Sequence, residues 1–141
     1  MKYVLDASVA LKWVLQEQNT DKALRLRDAY RQNVHKLIAP DFFRAECGHA
    51  LFRAERRRLL ASGQPGILLA TILINCPELR DIAPYIPRAV LMADQIRIGF
   101  YDAIYMALAE AENCSLITAD ARLLNAVHAR FHHIVDLAAM P

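Results

Sequence analysis

Little in this chain would build a disulfide-stapled, thiolate-bound or membrane-embedded protein. Its three cysteines, Cys47, Cys76 and Cys114, are odd in number and have no CxxC spacing, which argues against a disulfide framework and a zinc-thiolate site. No basic, apolar leader ending in small residues precedes the first strand-like segment, and the apolar stretches fall well short of the roughly 18 consecutive residues of a membrane span. The expectation is a reducing, cytoplasmic location without membrane insertion. The five histidines, His35, His49, His128, His132 and His133, lack zinc-motif spacing and are expected in ordinary surface or structural roles. There is no Walker loop, dinucleotide fingerprint or recognisable cysteine nucleophile. Charge of one sign is also lacking: 17 basic against 15 acidic residues leave a net charge of only +2, too little to identify a nucleic-acid binder by itself.

What is present is apolar mass. The 141 residues are 55% hydrophobic and 23% charged, which excludes a disordered chain and leaves apolar surface for self-association, with a homodimer the simplest form. One domain over residues 1–141 is expected. Thirteen of the basic residues are arginine, whose planar guanidinium can grip phosphate with two hydrogen bonds but also serves ordinary ion pairs. They cluster at Arg25, Arg27 and Arg31 with Lys36, and more tightly at Arg53, Arg56, Arg57 and Arg58.

Residues 2–5 read as a buried strand, residues 9–14 as a short helix carrying Trp13, and residues 21–31 as a helix with an exposed back. Leu37-Ile38-Ala39 reads as a strand, with Pro40 placed to start a helix. From Asp41 to Leu60 the apolar positions Phe43, Cys47, Ala50, Leu51 and Ala54 follow one helical face. After Gly63, Pro65 and Gly66, residues 67–74 fit a buried helix or strand by composition alone, with helix favoured because it would complete an αα-hairpin. Pro77, Pro84 and Pro87 punctuate the next stretch before a helix ending near Gly99. Asp102 is placed to cap an apolar helix over 103–109, followed by a strand at 115–118, a turn or helix from Asp120, and a last strand at Ile134-Val135. Short strands separated by long helices predict an α/β/α sandwich around a mainly parallel sheet.

Four acids fall where strands end or helices begin: Asp6, Glu46, Asp102 and Asp120. Hard carboxylate oxygens suit Mg²⁺ or Mn²⁺, ions whose sites often take substrate phosphates as further ligands. Each acid also has a plain structural reading: Asp102 and Asp120 as N-caps, Glu46 as a solvated helix acid, Asp6 as a turn residue. As a set they repel one another in an apolar domain unless a cation or protonation compensates. Trp13, Phe42, Phe43, Phe52 and Met106 are expected in packing or partner contact.

The segments Val4-Leu5-Asp6-Ala7-Ser8, Pro40-Asp41-Phe42-Phe43-Arg44-Ala45-Glu46, Tyr101-Asp102-Ala103-Ile104-Tyr105-Met106-Ala107-Leu108-Ala109 and Leu116-Ile117-Thr118-Ala119-Asp120 together resemble PIN-domain proteins, particularly VapC-type toxin ribonucleases. The resemblance implies endonucleolytic hydrolysis of RNA with one or two Mg²⁺ or Mn²⁺ ions on Asp6, Glu46, Asp102 and Asp120, products with a 5′ phosphate and a 3′ hydroxyl, and restraint by a cognate VapB-type antitoxin. It places Ser8 and Thr118 as supporting hydroxyls beside the centre. Arg53, Arg56, Arg57, Arg58 and Arg122 are candidate RNA contacts. A metal-dependent DNA nuclease or phosphatase, or a noncatalytic RNA-binding or interaction module, remains as the alternative.

Overall fold

The computed structural model describes residues 1–127 and 130–141, so His128 lies outside the described residues. The elements are β1 (Lys2–Leu5), α1 (Ala7–Leu11), α2 (Thr20–Arg31), β2 (Lys36–Pro40), α3 (Phe43–Arg56), α4 (Gln64–Ile74), β3 (Glu78–Arg80), α5 (Ile86–Ile96), α6 (Phe100–Ala111), β4 (Ser115–Thr118), α7 (Ala121–Val127) and β5 (Ile134–Asp136). Short 3₁₀ turns precede α5 and follow β5. Among the described residues the five strands form one sheet in the order β3-β2-β1-β4-β5, with every pairing parallel. Both edge strands, β3 and β5, have only 3 residues, which limits the unpaired backbone offered to other chains.

Strand alternation sends successive side chains to opposite faces, and the core divides accordingly. Tyr3, Leu5, Leu37, Ala39 and Ile117 pack on one face with Trp13, Phe43, Cys47, Leu51 and Ile72 from the elements up to α4. Val4, Ile38 and Leu116 pack on the other with Met92 of α5, Leu123 of α7 and the run Ala103–Ala109 of α6. The result is the three-layer α/β/α sandwich that the alternation of elements predicts. Truncating a fully buried residue such as Leu5 or Phe43 would remove about 2–5 kcal/mol.

Four expectations need correction. Pro40 ends β2 rather than starting a helix; its missing N–H is tolerated at a strand terminus, and α3 begins at Phe43. Trp13 lies in the turn after α1, where its indole N–H donates to the Ala23 carbonyl at 3.0 Å. The stretch after Pro77 contains β3, missed because three residues carry no readable period and Glu78 and Arg80 are polar. Asp102 is not a cap: α6 starts at Phe100 with Gly99 as its N-cap, so Asp102 sits inside the first turn.

The strand order reverses between β1 and β4, both of which have neighbours on their outer sides. Crevices form outside the carboxyl ends of strands at such a switch point. Asp6 directly follows β1, and Asp120 lies two residues beyond β4.

Candidate metal centre

A cleft of about 620 Å³ opens at this point, and Asp6, Glu46, Asp102 and Asp120 all line it, together with Ser8, Phe42, His49, Arg53 and Tyr101. Four elements distant in sequence therefore bring the acids to one place. Among the described residues, no three His, Cys, Asp or Glu side chains close into a ready-made cage. The acids form an open cleft wall, with room for the waters that Mg²⁺ usually retains.

Asp6 stands at the N-cap position of α1, yet its side chain makes no capping bond. Its Oδ2 instead accepts from the Ser8 hydroxyl at 2.6 Å and the Thr118 hydroxyl at 2.7 Å. Those hydroxyls are themselves held: Ser8 Oγ accepts from the Ala119 N–H at 3.0 Å, and Thr118 Oγ1 from the Asp120 N–H at 3.1 Å. The loops after β1 and β4 are thus stitched together around one carboxylate. Asp120 does act as a cap, since its Oδ1 accepts from the N–H groups of Arg122 at 2.9 Å and Leu123 at 3.3 Å.

Glu46, in the first turn of α3, is no solvated acid. Its Oε1 accepts a 2.6 Å hydrogen bond from the hydroxyl of Tyr105, a side chain only 1% exposed. Phe42 braces this bond, meeting the rings of Tyr101 and Tyr105 edge-on at 4.7 and 5.5 Å between centroids. Asp6, Glu46 and Asp120 each have one oxygen fixed by protein donors, so their carboxylate planes are oriented before any ligand arrives.

The charge balance is unfavourable in the protein alone. Burial, opposed by hydrogen bonds from Ser8 and Thr118 and reinforced by Asp120, raises the Asp6 carboxyl above its ordinary range. Burial pushes Glu46 to about 7 despite the Tyr105 bond, with Asp6 and Asp102 adding to the shift. Asp102 rises to about 6 through burial and the charges of Asp6 and Asp120, with Arg122 pulling the other way. An all-oxygen set of carboxylates whose ionisation is disfavoured by its own neighbours fits a hard divalent cation.

Of the candidate basic contacts, Arg53 lines this cleft, and Arg122 lines an adjoining hollow with Asp102 and Asp120. Arg56, Arg57 and Arg58 line neither hollow. Sequence reasoning missed Tyr105, Phe42 and Tyr101 as parts of the site, and His49, which stands beside Arg53 in the cleft. The signal for His49 was available: it lies one helical turn beyond Glu46. His35 instead meets Tyr3 edge-on at 5.3 Å, and His133 packs against Phe131 at 5.6 Å.

Residues 3–128 match the PIN domain family. The chain is 36% identical over 104 residues to Ribonuclease VapC1 of Mycobacterium tuberculosis, covering 72% of this chain and 74% of that protein. The fold is similar to that of PAE2754 from Pyrobaculum aerophilum, with a TM-score of 0.71 and 23% identity over 98% of this chain and 85% of that one. It is also similar to VapBC2 from Rickettsia felis, solved bound to a DNA fragment from its promoter, with a TM-score of 0.65 and 17% identity over 96% and 97% of the two chains. This chain belongs to the PIN domain family, and its relatives there are VapC-type proteins. Among the described residues, no helix is long and apolar enough to cross a membrane, and all three cysteines are free thiols.

Proposed function

We propose that this protein is a divalent-metal-dependent endoribonuclease whose Asp6, Glu46, Asp102 and Asp120 hold one or two Mg²⁺ or Mn²⁺ ions, and that a VapB-type antitoxin restrains it. The observation that carries this reading is the convergence of four carboxylates on one cleft, with none of them in a salt bridge among the described residues. RNA as the substrate is supported by the kinship with a VapC ribonuclease.

When bound, the metal supplies positive charge at the scissile phosphate and acidifies a water for in-line attack. The chain's own contribution is orientation. Ser8 and Thr118 fix Asp6, the N–H groups of Arg122 and Leu123 fix Asp120, and Tyr105 fixes Glu46. Arg53, on the cleft wall, is placed to neutralise an RNA phosphate.

Partner binding draws support from exposed apolar side chains on and beside α3 and α4, namely Phe52, Leu59, Ile67 and Ile74. A protein monomer leaves such a surface bare at some risk to solubility, which favours a homodimer and an antitoxin contact.

The test is cleavage of RNA by purified, partner-free protein with and without Mn²⁺, with the cut ends sequenced. Mn²⁺-dependent cuts carrying a 5′ phosphate, lost in Asp6→Asn, are expected. Equal cleavage without the metal, or near-normal cleavage by Asp6→Asn, would overturn the reading.

A further inference from the structure

Asp102 and Asp120 line two hollows at once. On one side is the main cleft, with His49 and Arg53. On the other is a smaller hollow of about 280 Å³, lined by Arg97 and Arg122 together with the same two acids, Gly99 and Ala126. Arg97 comes from the end of α5 and Arg122 from α7, so two separate elements deliver positive charge to one place.

The plain reading of an exposed arginine is a surface ion pair, to which five of the thirteen arginines conform, while Arg44, Arg53, Arg56, Arg57 and Arg58 are in no salt bridge among the described residues. Arg25, Arg27, Arg31, Arg80 and Arg88 all have carboxylate partners. Arg97 and Arg122 are in no salt bridge among the described residues, although Asp102 and Asp120 share their hollow.

We infer that Arg97 and Arg122 form a phosphate-binding subsite for the RNA strand on the opposite side of Asp102 and Asp120 from Arg53. This rests on the ribonuclease reading above. A polyanion crossing an acidic wall needs positive charge on both sides of it, and guanidinium groups clamp phosphate oxygens in pairs. The strand then runs from Arg53, across the carboxylates, to Arg97 and Arg122. The arginine run at 56–58, which the sequence singles out, is not part of this path.

The experiment measures binding of a short labelled single-stranded RNA to the full chain in EDTA, by fluorescence anisotropy, from about 50 to 200 mM salt. Each phosphate contact on a single strand contributes about −0.7 to the slope of log affinity on log salt. Arg97→Gln combined with Arg122→Gln should therefore flatten the slope by about 1.4 and weaken binding evenly across RNA sequences. The charge-matched pair Arg25→Gln with Arg31→Gln, on α2, should leave the slope unchanged. Mn²⁺ affinity without RNA should hold or rise in the first variant, because Arg122 opposes a cation beside Asp102. An unchanged RNA slope, or an equal flattening in the α2 variant, overturns the subsite. If the wild-type protein neither binds this RNA nor cleaves it with Mn²⁺, it is the ribonuclease reading that fails.

Discussion

Lys2 and Lys36, at the starts of β1 and β2, and Arg80, at the end of β3, hold Glu112 and Glu78. Hydrogen bonds, from Lys2 to Glu112 and from Arg80 to Glu78 in first place, keep both carboxyls below their ordinary range. At the carboxyl edge of the same sheet, Asp6, Glu46 and Asp102 stand above theirs, with burial the leading cause. The same fold thus treats two groups of acids in opposite ways. The first group has its counter-charges within the chain and serves the fold. The second is oriented by hydroxyls and backbone N–H groups, which fix geometry without supplying a full positive charge. On the function proposed above, a divalent cation supplies its missing charge.

The comparison breaks most visibly in activity. Asp6→Asn keeps the shape of the side chain while removing one unit of charge, so Mn²⁺-dependent RNA cleavage should fall by at least about 100-fold, beyond the 10–100-fold typical of lost outer-shell partners. Circular dichroism should show the fold retained. Tyr105→Phe removes only the hydroxyl that fixes Glu46 Oε1 and should weaken Mn²⁺ binding by roughly 10-fold, read by calorimetric titration. Unaltered Mn²⁺ affinity would reduce Tyr105 to a packing residue.

The two groups should also respond oppositely to pH in metal-free protein. Glu46 at about 7 and Asp102 at about 6 hold their protons more tightly when folded than when unfolded. Their contribution to stability is full below the unfolded carboxylate range and is lost as pH rises through about 6 and 7. Glu112, lowered by Lys2, contributes above that range and loses its contribution as pH falls. Urea unfolding in EDTA should show the site's share of stability declining between about pH 5 and 8, and Glu46→Gln should remove part of that decline. Mn²⁺ affinity should rise over the same interval, because metal ligands must be deprotonated. The smallest effect is expected from Glu112→Gln: a partly exposed pair contributes about 0–1 kcal/mol, and the sign should be loss of stability, whereas Asp102→Asn should leave metal-free stability unchanged or higher.

How much was legible in the sequence follows the same division. Layer order and the parallel sheet were readable because each rests on local pattern: apolar runs of strand length, helical spacing along α3 and the near-continuous apolar face of α6; that the four acids share one cleft agrees with their places at strand ends and helix starts. That Asp102 shares a cleft with the other acids agrees with the sequence, but its place in the helix was not readable, since Gly99 is the N-cap and Phe100 and Tyr101 already belong to the helix. The strand β3 was hidden because its residues are specified by pairing with Ile38, Ala39 and Pro40, a tertiary cause with no local signature. Tyr105 looked like core because it is core; only the placement of Glu46 opposite its hydroxyl gives it a second role. The arginine run at 56–58 is conspicuous in sequence, while Arg97 stands alone there and shares a hollow with Arg122 only through folding.

The most direct test of the account is a thermal unfolding titration with Mn²⁺ on the wild type and on Asp6→Asn. If the acids at the sheet's carboxyl edge form an incomplete site, Mn²⁺ at about 100 times its Kd should stabilise the wild type by on the order of 2.7 kcal/mol. The shift should be sharply reduced in Asp6→Asn, whose metal-free midpoint is equal or higher. A wild-type midpoint indifferent to Mn²⁺, or the same shift in both proteins, would contradict the claim that these carboxylates are completed by a divalent cation.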